Sequence, residues 1–147
     1  MTQTCTRFDE IGRQHGRLLD QITELRRLAS PLGGSERGAA ARARLVREIG
    51  GLCQGMRRHF AFEEEGGYLD AVVAARPGLF FNVSRLQREH AEFLREGESL
   101  SADLQGPLAP EEARTRLVRL LDQLGRHQYE EHQLLQQAIA DDLGGGD

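Results

Sequence analysis

The feature that most constrains the fold of this chain is a repeated alternation of three- and four-residue steps between its apolar positions. The first stripe occupies residues 6–29, and comparable stripes recur in residues 39–75, 83–105 and 110–142. Spacing of this kind puts the apolar residues on one face of an α-helix, as in the inward-facing seam of a helical bundle. In the first segment the stripe runs through Phe8, Ile11, His15, Leu18, Ile22, Leu25 and Ala29.

Short stretches rich in glycine and proline separate the four segments, at Ser30–Gly38, Arg76–Gly78 and Gly106–Pro110. Long helices joined by short connections favour antiparallel neighbours. We therefore predict an all-α fold, an up-down-up-down antiparallel four-helix bundle. It would form a single domain over residues 1–147, with a flexible tail at residues 143–147.

Two helix starts carry recognisable signals. Pro110 is tolerated in a first helical turn, and the carboxylates of Glu111 and Glu112 suit the positive end of the helix dipole. Asn82 is a residue type that caps helices, and it predicts the start of the third segment.

Composition excludes several classes of protein. The longest plain apolar run, Ala71–Ala75, is far shorter than the ~20 residues that a membrane-spanning helix needs, and the first ten residues contain no apolar signal core. Cys5 and Cys53 form neither a disulfide framework nor a Cys-x-x-Cys zinc motif. The net charge is −4, and the arginines are scattered over all four segments rather than gathered in the basic stripe of a nucleic-acid binder. A cytoplasmic protein that binds neither membrane nor nucleic acid is the expectation.

The informative residues are the polar ones that stand where the stripes call for leucine. A buried carboxylate or imidazole without a partner is costly, so this many in all four segments require a common explanation. Counting residues from the predicted helix ends brings them to one level of the bundle, although the first and second segments match less well. These residues are His15, His59, Glu63, His90, His127 and Glu131.

Two of the segments carry the same spacing of a histidine and a glutamate. His59 and Glu63, like His127 and Glu131, are four residues apart, so each pair lies on one face of its helix. Such pairs can hold two neighbouring metal ions, with the carboxylate bridging and the imidazole terminal. Imidazole and carboxylate ligands suit iron, zinc or manganese.

In its order of histidines and glutamates on four helices, residues 8 to 135, the chain resembles the hemerythrin-like (HHE cation-binding) domain. The resemblance implies a centre of two iron ions with an oxo or hydroxo bridge, which binds O2 or a related small ligand such as NO or peroxide. It implies His15, His59, His90 and His127 as terminal ligands. It also implies Glu63 and Glu131 as bridging carboxylates.

The sequence departs from oxygen-carrying hemerythrins at two positions. Leu94 stands where those proteins have a second histidine on the third helix. His132 stands where they have the last carboxylate, which lies one residue earlier here, at Glu131. His132 is therefore the alternative ligand to Glu131, and the resemblance supports a metal site better than reversible oxygen carriage.

The residues beside these six have less specific roles. Glu64 and Glu89 point about 100° away from the neighbouring candidate ligands and are expected to be solvated, unless they support a ligand from outside. Phe60, Phe62 and Phe93 are expected in the core or in the wall of the site. Tyr68 and Tyr129 are weaker candidates for donors to a bound ligand, Gly66–Gly67 could open space near the site, and Cys53 is expected as an apolar filler.

Three functions remain open at this point. The first is a binding protein for O2, NO, peroxide or iron, in sensing, storage or redox protection. The second is a di-iron enzyme such as an oxidase, a peroxidase or an NO-handling activity. The third is a structural bundle that holds zinc or a hydrogen-bonded network. Binding is favoured over a dedicated enzyme because no acid, base or nucleophile stands apart from the candidate ligands.

Overall fold

The computed structural model describes residues 2–29, 36–65 and 68–144. Within these ranges the chain is helical, with no β-strand, which confirms the all-α prediction. The elements are α1 (Thr2–Ala29), α2 (Glu36–Glu65), α3 (Tyr68–Ala75), a 3-10 helix (Pro77–Leu79), α4 (Phe80–Leu104) and α5 (Pro110–Gly144).

The predicted second helix corresponds to two of the described helices. α2 ends at Glu65 and the short α3 begins at Tyr68, so five α-helices are described instead of the four predicted. Gly66–Gly67, which the sequence analysis connected with space near the site, lie outside the described residues.

The predicted cap of the third segment is wrong. α4 begins at Phe80, and Asn82 lies inside its first turn. The 3-10 helix runs directly into α4, because the backbone N–H of Phe80 donates to the carbonyl of Pro77. The turn that begins at Pro77 therefore supplies a hydrogen-bond acceptor for the first backbone N–H of α4, and no side chain caps the helix there.

The other helix ends also differ from the sequence boundaries. α2 already begins at Glu36, within the stretch expected to be a loop, and residues 30–35 lie outside the described residues. α5 starts at Pro110 as predicted, with Glu111 and Glu112 in its first turn. It continues to Gly144, into the expected tail, and residues 145–147 lie outside the described residues.

The four long helices pack in the order α1, α2, α4 and α5, and α5 returns to α1. Two contacts show how neighbouring ends meet. Arg114, near the start of α5, donates to the carbonyl of Ala29 at the end of α1, at 3.1 Å. Arg42, near the start of α2, donates to the carbonyl of Leu104 at the end of α4, at 2.8 Å.

Among the residues that the structure describes, the apolar core consists of two clusters, and α3 contributes to one of them. The larger cluster joins α1, α2, α4 and α5, and includes Leu18, Phe93 and Leu124. The smaller one includes Ile11 of α1 and Leu69 and Val72 of α3. None of the described helices combines the length and apolar character needed to cross a bilayer.

A polar layer separates the two clusters. Along α1, His15 lies between Ile11 of the smaller cluster and Leu18 of the larger one. Along α4, His90 lies in the same way between Leu86 and Phe93. The fold therefore places these imidazoles between two apolar regions, where electrostatic interactions are stronger than in water.

Candidate metal centre

All six polar residues that interrupt the apolar stripes are buried in the middle of the molecule. Their exposed fractions range from 0% to 8%. α1 and α4 each contribute one histidine, and α2 and α5 each contribute a histidine and, one turn later, a glutamate. The six residues are His15, His59, Glu63, His90, His127 and Glu131.

The two glutamates lie between two pairs of histidines. We call His15 and His59 the first histidine pair and His90 and His127 the second histidine pair. Glu131 Oε1 lies 3.1 Å from Nε2 of His15, and its Oε2 lies 3.2 Å from Nε2 of His127. One carboxylate thus faces both pairs.

Glu63 repeats this arrangement from the opposite helix. Its Oε1 contacts Nε2 of His59 and lies 3.7 Å from Nε2 of His15, whereas its Oε2 lies 3.3 Å from Nε2 of His90. Each glutamate therefore presents one oxygen to the first histidine pair and the other to the second.

Two groups of potential metal-binding atoms result. In the first, donor atoms of His15, His59, Glu63 and Glu131 all lie within 4.8 Å of one another. In the second, donor atoms of His90, His127 and Glu131 do so. This is the donor set of imidazole nitrogens and carboxylate oxygens that suits first-row metal ions.

Several of these atoms lack a hydrogen bond. Within the described residues, the orphaned atoms include both oxygens of Glu63, Oε2 of Glu131 and Nε2 of His59, His90 and His127. Burying polar atoms without partners is unfavourable, by about 1–3 kcal/mol for each lost hydrogen bond. Cations between the carboxylates and imidazoles would satisfy these atoms, so the cluster fits a metal site.

The outer nitrogens of three histidines are hydrogen bonded. Nδ1 of His59 lies 2.7 Å from Oε1 of Gln14, and Gln14 in turn donates to Glu10. Because the accepting atom is an oxygen, Nδ1 carries the proton, and the lone pair of Nε2 points towards the glutamates. The same tautomer follows for the second histidine pair.

Carboxylates fulfil this outer role for the second histidine pair. Glu64 Oε1 lies 3.1 Å from Nδ1 of His90, and Glu89 Oε2 lies 2.8 Å from Nδ1 of His127. These two glutamates thus support the imidazoles instead of only facing solvent. The role of Gln14 as an outer partner was not predicted from the sequence. Gln14 directly precedes His15 just as Glu89 directly precedes His90, so the same reasoning could have identified it.

Aromatic rings line the side of the second histidine pair. Phe60 stacks on His90 with ring centroids 3.9 Å apart and an angle of 5° between the planes. Phe93 meets His127 edge to face, with centroids 5.1 Å apart. Both phenylalanines also belong to the larger core cluster. The same two residues therefore form part of the core and part of the wall of the site.

The remaining sequence candidates lie away from the cluster. The side chain of His132 is exposed, and its Nε2 contacts the Gln136 amide at 3.0 Å. Tyr129 is 66% exposed. Leu94 and Phe62 pack against the two core clusters, and the side chain of Tyr68 lies outside the described residues.

Cys53 and Gln128 are the other buried residues of interest. Burial raises the pKa of the Cys53 thiol, and Cys53 belongs to the larger core cluster, where it acts as the expected apolar filler. Gln128, next to His127 on α5, is 5% exposed and was not identified from the sequence.

Burial and the glutamates act in opposite directions on the titration of the site. Burial alone would lower the pKa of His15, but the hydrogen bond with Glu131 and the nearness of Glu63 raise it to about 9. Burial would raise the pKa of Glu63, but the surrounding carboxyl and imidazole groups hold it well below its usual range. The shifts of these two pKa values favour a protonated His15 beside an ionised Glu63.

Two surface grooves reach the histidines. The groove between α1 and α2, of about 460 Å³, is lined by His59, Gln14 and Gly55. The groove between α4 and α5, of about 490 Å³, is lined by His127, Glu89 and the exposed Glu92. One histidine of each pair therefore borders a surface groove.

Comparison with known families identifies a match over most of the chain. The family model described as "Hemerythrin HHE cation binding domain" matches residues 6–139. No curated protein and no solved structure matches the chain. The matched range contains the whole cluster of histidines and glutamates.

Proposed function

The chain belongs to the hemerythrin HHE cation-binding domain family, and from this premise we propose that it holds two iron ions in the cluster. The first histidine pair would bind one ion, the second histidine pair the other, and Glu63 and Glu131 would bridge them. The observation that supports this most directly is that both glutamates turn one oxygen to each pair.

The proposed role is to bind O2 or a related small ligand such as NO or peroxide, or iron itself, in sensing, storage or redox protection. Four imidazole nitrogens and four carboxylate oxygens supply fewer donors than the roughly twelve positions of two six-coordinate ions. Positions thus remain for a small ligand. When bound, the iron pair would supply a redox-active centre.

The chain's own residues prepare the site for this role. Gln14, Glu64 and Glu89 hold the outer protons of three imidazoles and so aim the inner nitrogens at the cluster. Phe60 and Phe93 cover the second histidine pair and limit the entry of water. We also propose that the long helices form the up-down-up-down antiparallel bundle, since the contacts of Arg114 and Arg42 join the start of one helix to the end of its neighbour.

A binding protein is favoured over an enzyme with separate catalytic groups. Among the described residues, the buried polar side chains are the six of the cluster and Gln128. An amide neither titrates nor acts as a nucleophile near neutral pH, so Gln128 does not supply a general acid, a general base or a nucleophile.

Anaerobic loading with Fe(II), followed by metal analysis and by absorption spectra after exposure to air, tests this proposal. Two ions per chain and near-ultraviolet and visible absorption are expected. Glu63→Ala or His59→Ala should abolish binding of two ions per chain, whereas the control His132→Ala should keep it. Colourless protein that takes up only zinc would contradict the iron assignment, and loss of metal in His132→Ala would contradict the choice of Glu131.

A further inference from the structure

The two histidine pairs have outer partners of different charge. Both members of the second pair are hydrogen bonded to carboxylates, namely Glu64 and Glu89. In the first pair, His59 is hydrogen bonded to the neutral amide of Gln14. No outer hydrogen bond to Nδ1 of His15 occurs among the described residues.

The two outer partners occupy equivalent positions in two similar halves of the bundle, one formed by α1 and α2 and the other by α4 and α5. Gln14 directly precedes His15 on α1 and reaches His59 on the next helix of the packing order. Glu89 directly precedes His90 on α4 and reaches His127 on the next helix. The outer partners Gln14 and Glu89 thus occupy equivalent positions, and the chemical difference between them is an amide at one and a carboxylate at the other.

An outer carboxylate makes its imidazole a stronger ligand. A carboxylate that accepts the Nδ1 proton increases the electron density at Nε2 and adds a negative charge near the bound cation. Changing such a partner typically alters metal affinity by about 10–100-fold.

Nearby cations reduce this charge but do not cancel it. Arg85 donates to Glu89 at 2.9 Å and also to Glu130 at 2.6 Å, so these three groups together keep one negative charge. The side chain of Glu64 is 47% exposed and is partly screened by solvent. Glu89 is 23% exposed and is the stronger contributor of the two.

We propose that the two metal positions are inequivalent, and that the position at the second histidine pair binds its ion more tightly and fills first. Glu89 and Glu64 are positioning residues that act through His127 and His90. The inference rests on the proposed function, because it requires that two ions bind. It goes further by giving the order in which they bind.

Titration of the metal-free protein with Co(II), followed by calorimetry and visible absorption, tests the order of filling. Two binding steps that differ at least tenfold in affinity are expected. Glu89→Gln should weaken the tighter step by about tenfold. Gln14→Glu should strengthen the weaker step, and Glu92→Gln, on the same groove as Glu89, should change neither.

Removal of one ligand at a time shows which step belongs to which pair. His127→Ala should remove the tighter step, and His59→Ala the weaker one. Melting of each metal-free variant by circular dichroism verifies its folding, and Gln14→Glu provides the test if Glu89→Gln does not fold.

The possible failures are distinguishable. If wild-type protein binds two ions with equal affinity, or if Glu89→Gln weakens only the weaker step, the order of filling is wrong and the proposed function stands. If wild-type protein binds neither Co(II) nor iron, the proposed function itself is overturned.

Discussion

Gln128 is a buried residue whose side-chain amide lacks hydrogen-bond partners in the described part of the chain. Among the described residues, neither its oxygen nor its nitrogen has a hydrogen-bond partner, although the side chain is 5% exposed. An unsatisfied buried group of this kind costs about 1–3 kcal/mol. Gln128→Met, of similar size, should therefore raise the free energy of unfolding of the metal-free protein by about 1 kcal/mol.

Urea unfolding in the presence of a chelator measures this change. Gln123→Met is the matched control, because Gln123 is exposed on the same helix, and it should alter stability by less than about 0.5 kcal/mol. A Gln128→Met protein less stable than wild type would show that the amide has a stabilising partner in solution.

The raised pKa of His15 predicts a loss of stability at alkaline pH in the metal-free protein. The folded protein holds the His15 proton up to about pH 9, whereas the unfolded chain releases it near 6.5. Its contribution is therefore complete below pH 6.5 and is lost as the pH rises towards 9. At roughly 1.4 kcal/mol for each pKa unit, the loss is about 3 kcal/mol at most.

Urea unfolding with chelator at pH 6.5, 7.5 and 8.5 checks this slope. The free energy of unfolding should fall across the series, and His15→Gln should flatten the profile. His132→Gln, which changes an exposed histidine outside the cluster, should leave the slope in place. A wild-type stability that is constant or rises between pH 6.5 and 8.5 would contradict the assignment.

The six residues on the helix stripes were identified from their spacing, whereas Gln14 was missed and the supporting role of Glu89 was only an alternative to solvation. His90 was found because it occupies a position where the spacing requires an apolar residue. Gln14 and Glu89 lie one residue away from the stripe, where a polar side chain is ordinary. Their contacts with His59 and His127 depend on how closely the neighbouring helix packs. The residue spacing within one helix gives no information about that distance.

Gly97 permits a close contact between α4 and α2. A Cβ atom at this position would lie 2.8 Å from Sγ of Cys53. Real Cβ atoms do not approach this closely, so Gly97→Ala must displace the thiol or separate the helices. We expect it to destabilise the protein by about 1–3 kcal/mol, as is usual for overpacking in a core.

Thermal or urea unfolding of a double-mutant cycle tests this contact. Cys53→Ala should relieve most of the cost of Gly97→Ala, because it removes the atom that clashes. Gly125→Ala is the control on α5, where a Cβ would meet nothing within 4 Å, and it should stabilise the protein by about 0.5–1 kcal/mol. Additive effects of Gly97→Ala and Cys53→Ala would show that the two residues do not clash.

Helices with a long apolar stripe were predictable as elements, but their ends were less so. The start of α5 carried a proline followed by acidic residues, and it was predicted correctly at Pro110. The start of α4 depends on a backbone turn that begins at Pro77, and the side-chain signal of Asn82 was misleading. The end of α2 at Glu65 and the start of α3 at Tyr68 were not predicted, because residues 39–75 were interpreted as one helix.

At the scale of the whole molecule, metal binding should couple directly to stability. The polar layer joins α1, α2, α4 and α5, and cations bound there would connect all four helices of the native state. An ion that binds only the folded protein stabilises it by about 2.7 kcal/mol when its free concentration is 100 times the Kd. For a chain of this length, that shift corresponds to a rise in Tm on the order of 10 °C.

Melting curves with chelator and with increasing Co(II) measure this coupling. Tm should rise with the metal concentration, and the rise should be much smaller in Glu63→Ala, because that variant lacks the carboxylate that faces both histidine pairs. His132→Ala should follow the wild-type curve, because its side chain is exposed outside the cluster. Equal shifts in wild type and Glu63→Ala would mean that the stabilising ion binds elsewhere on the chain.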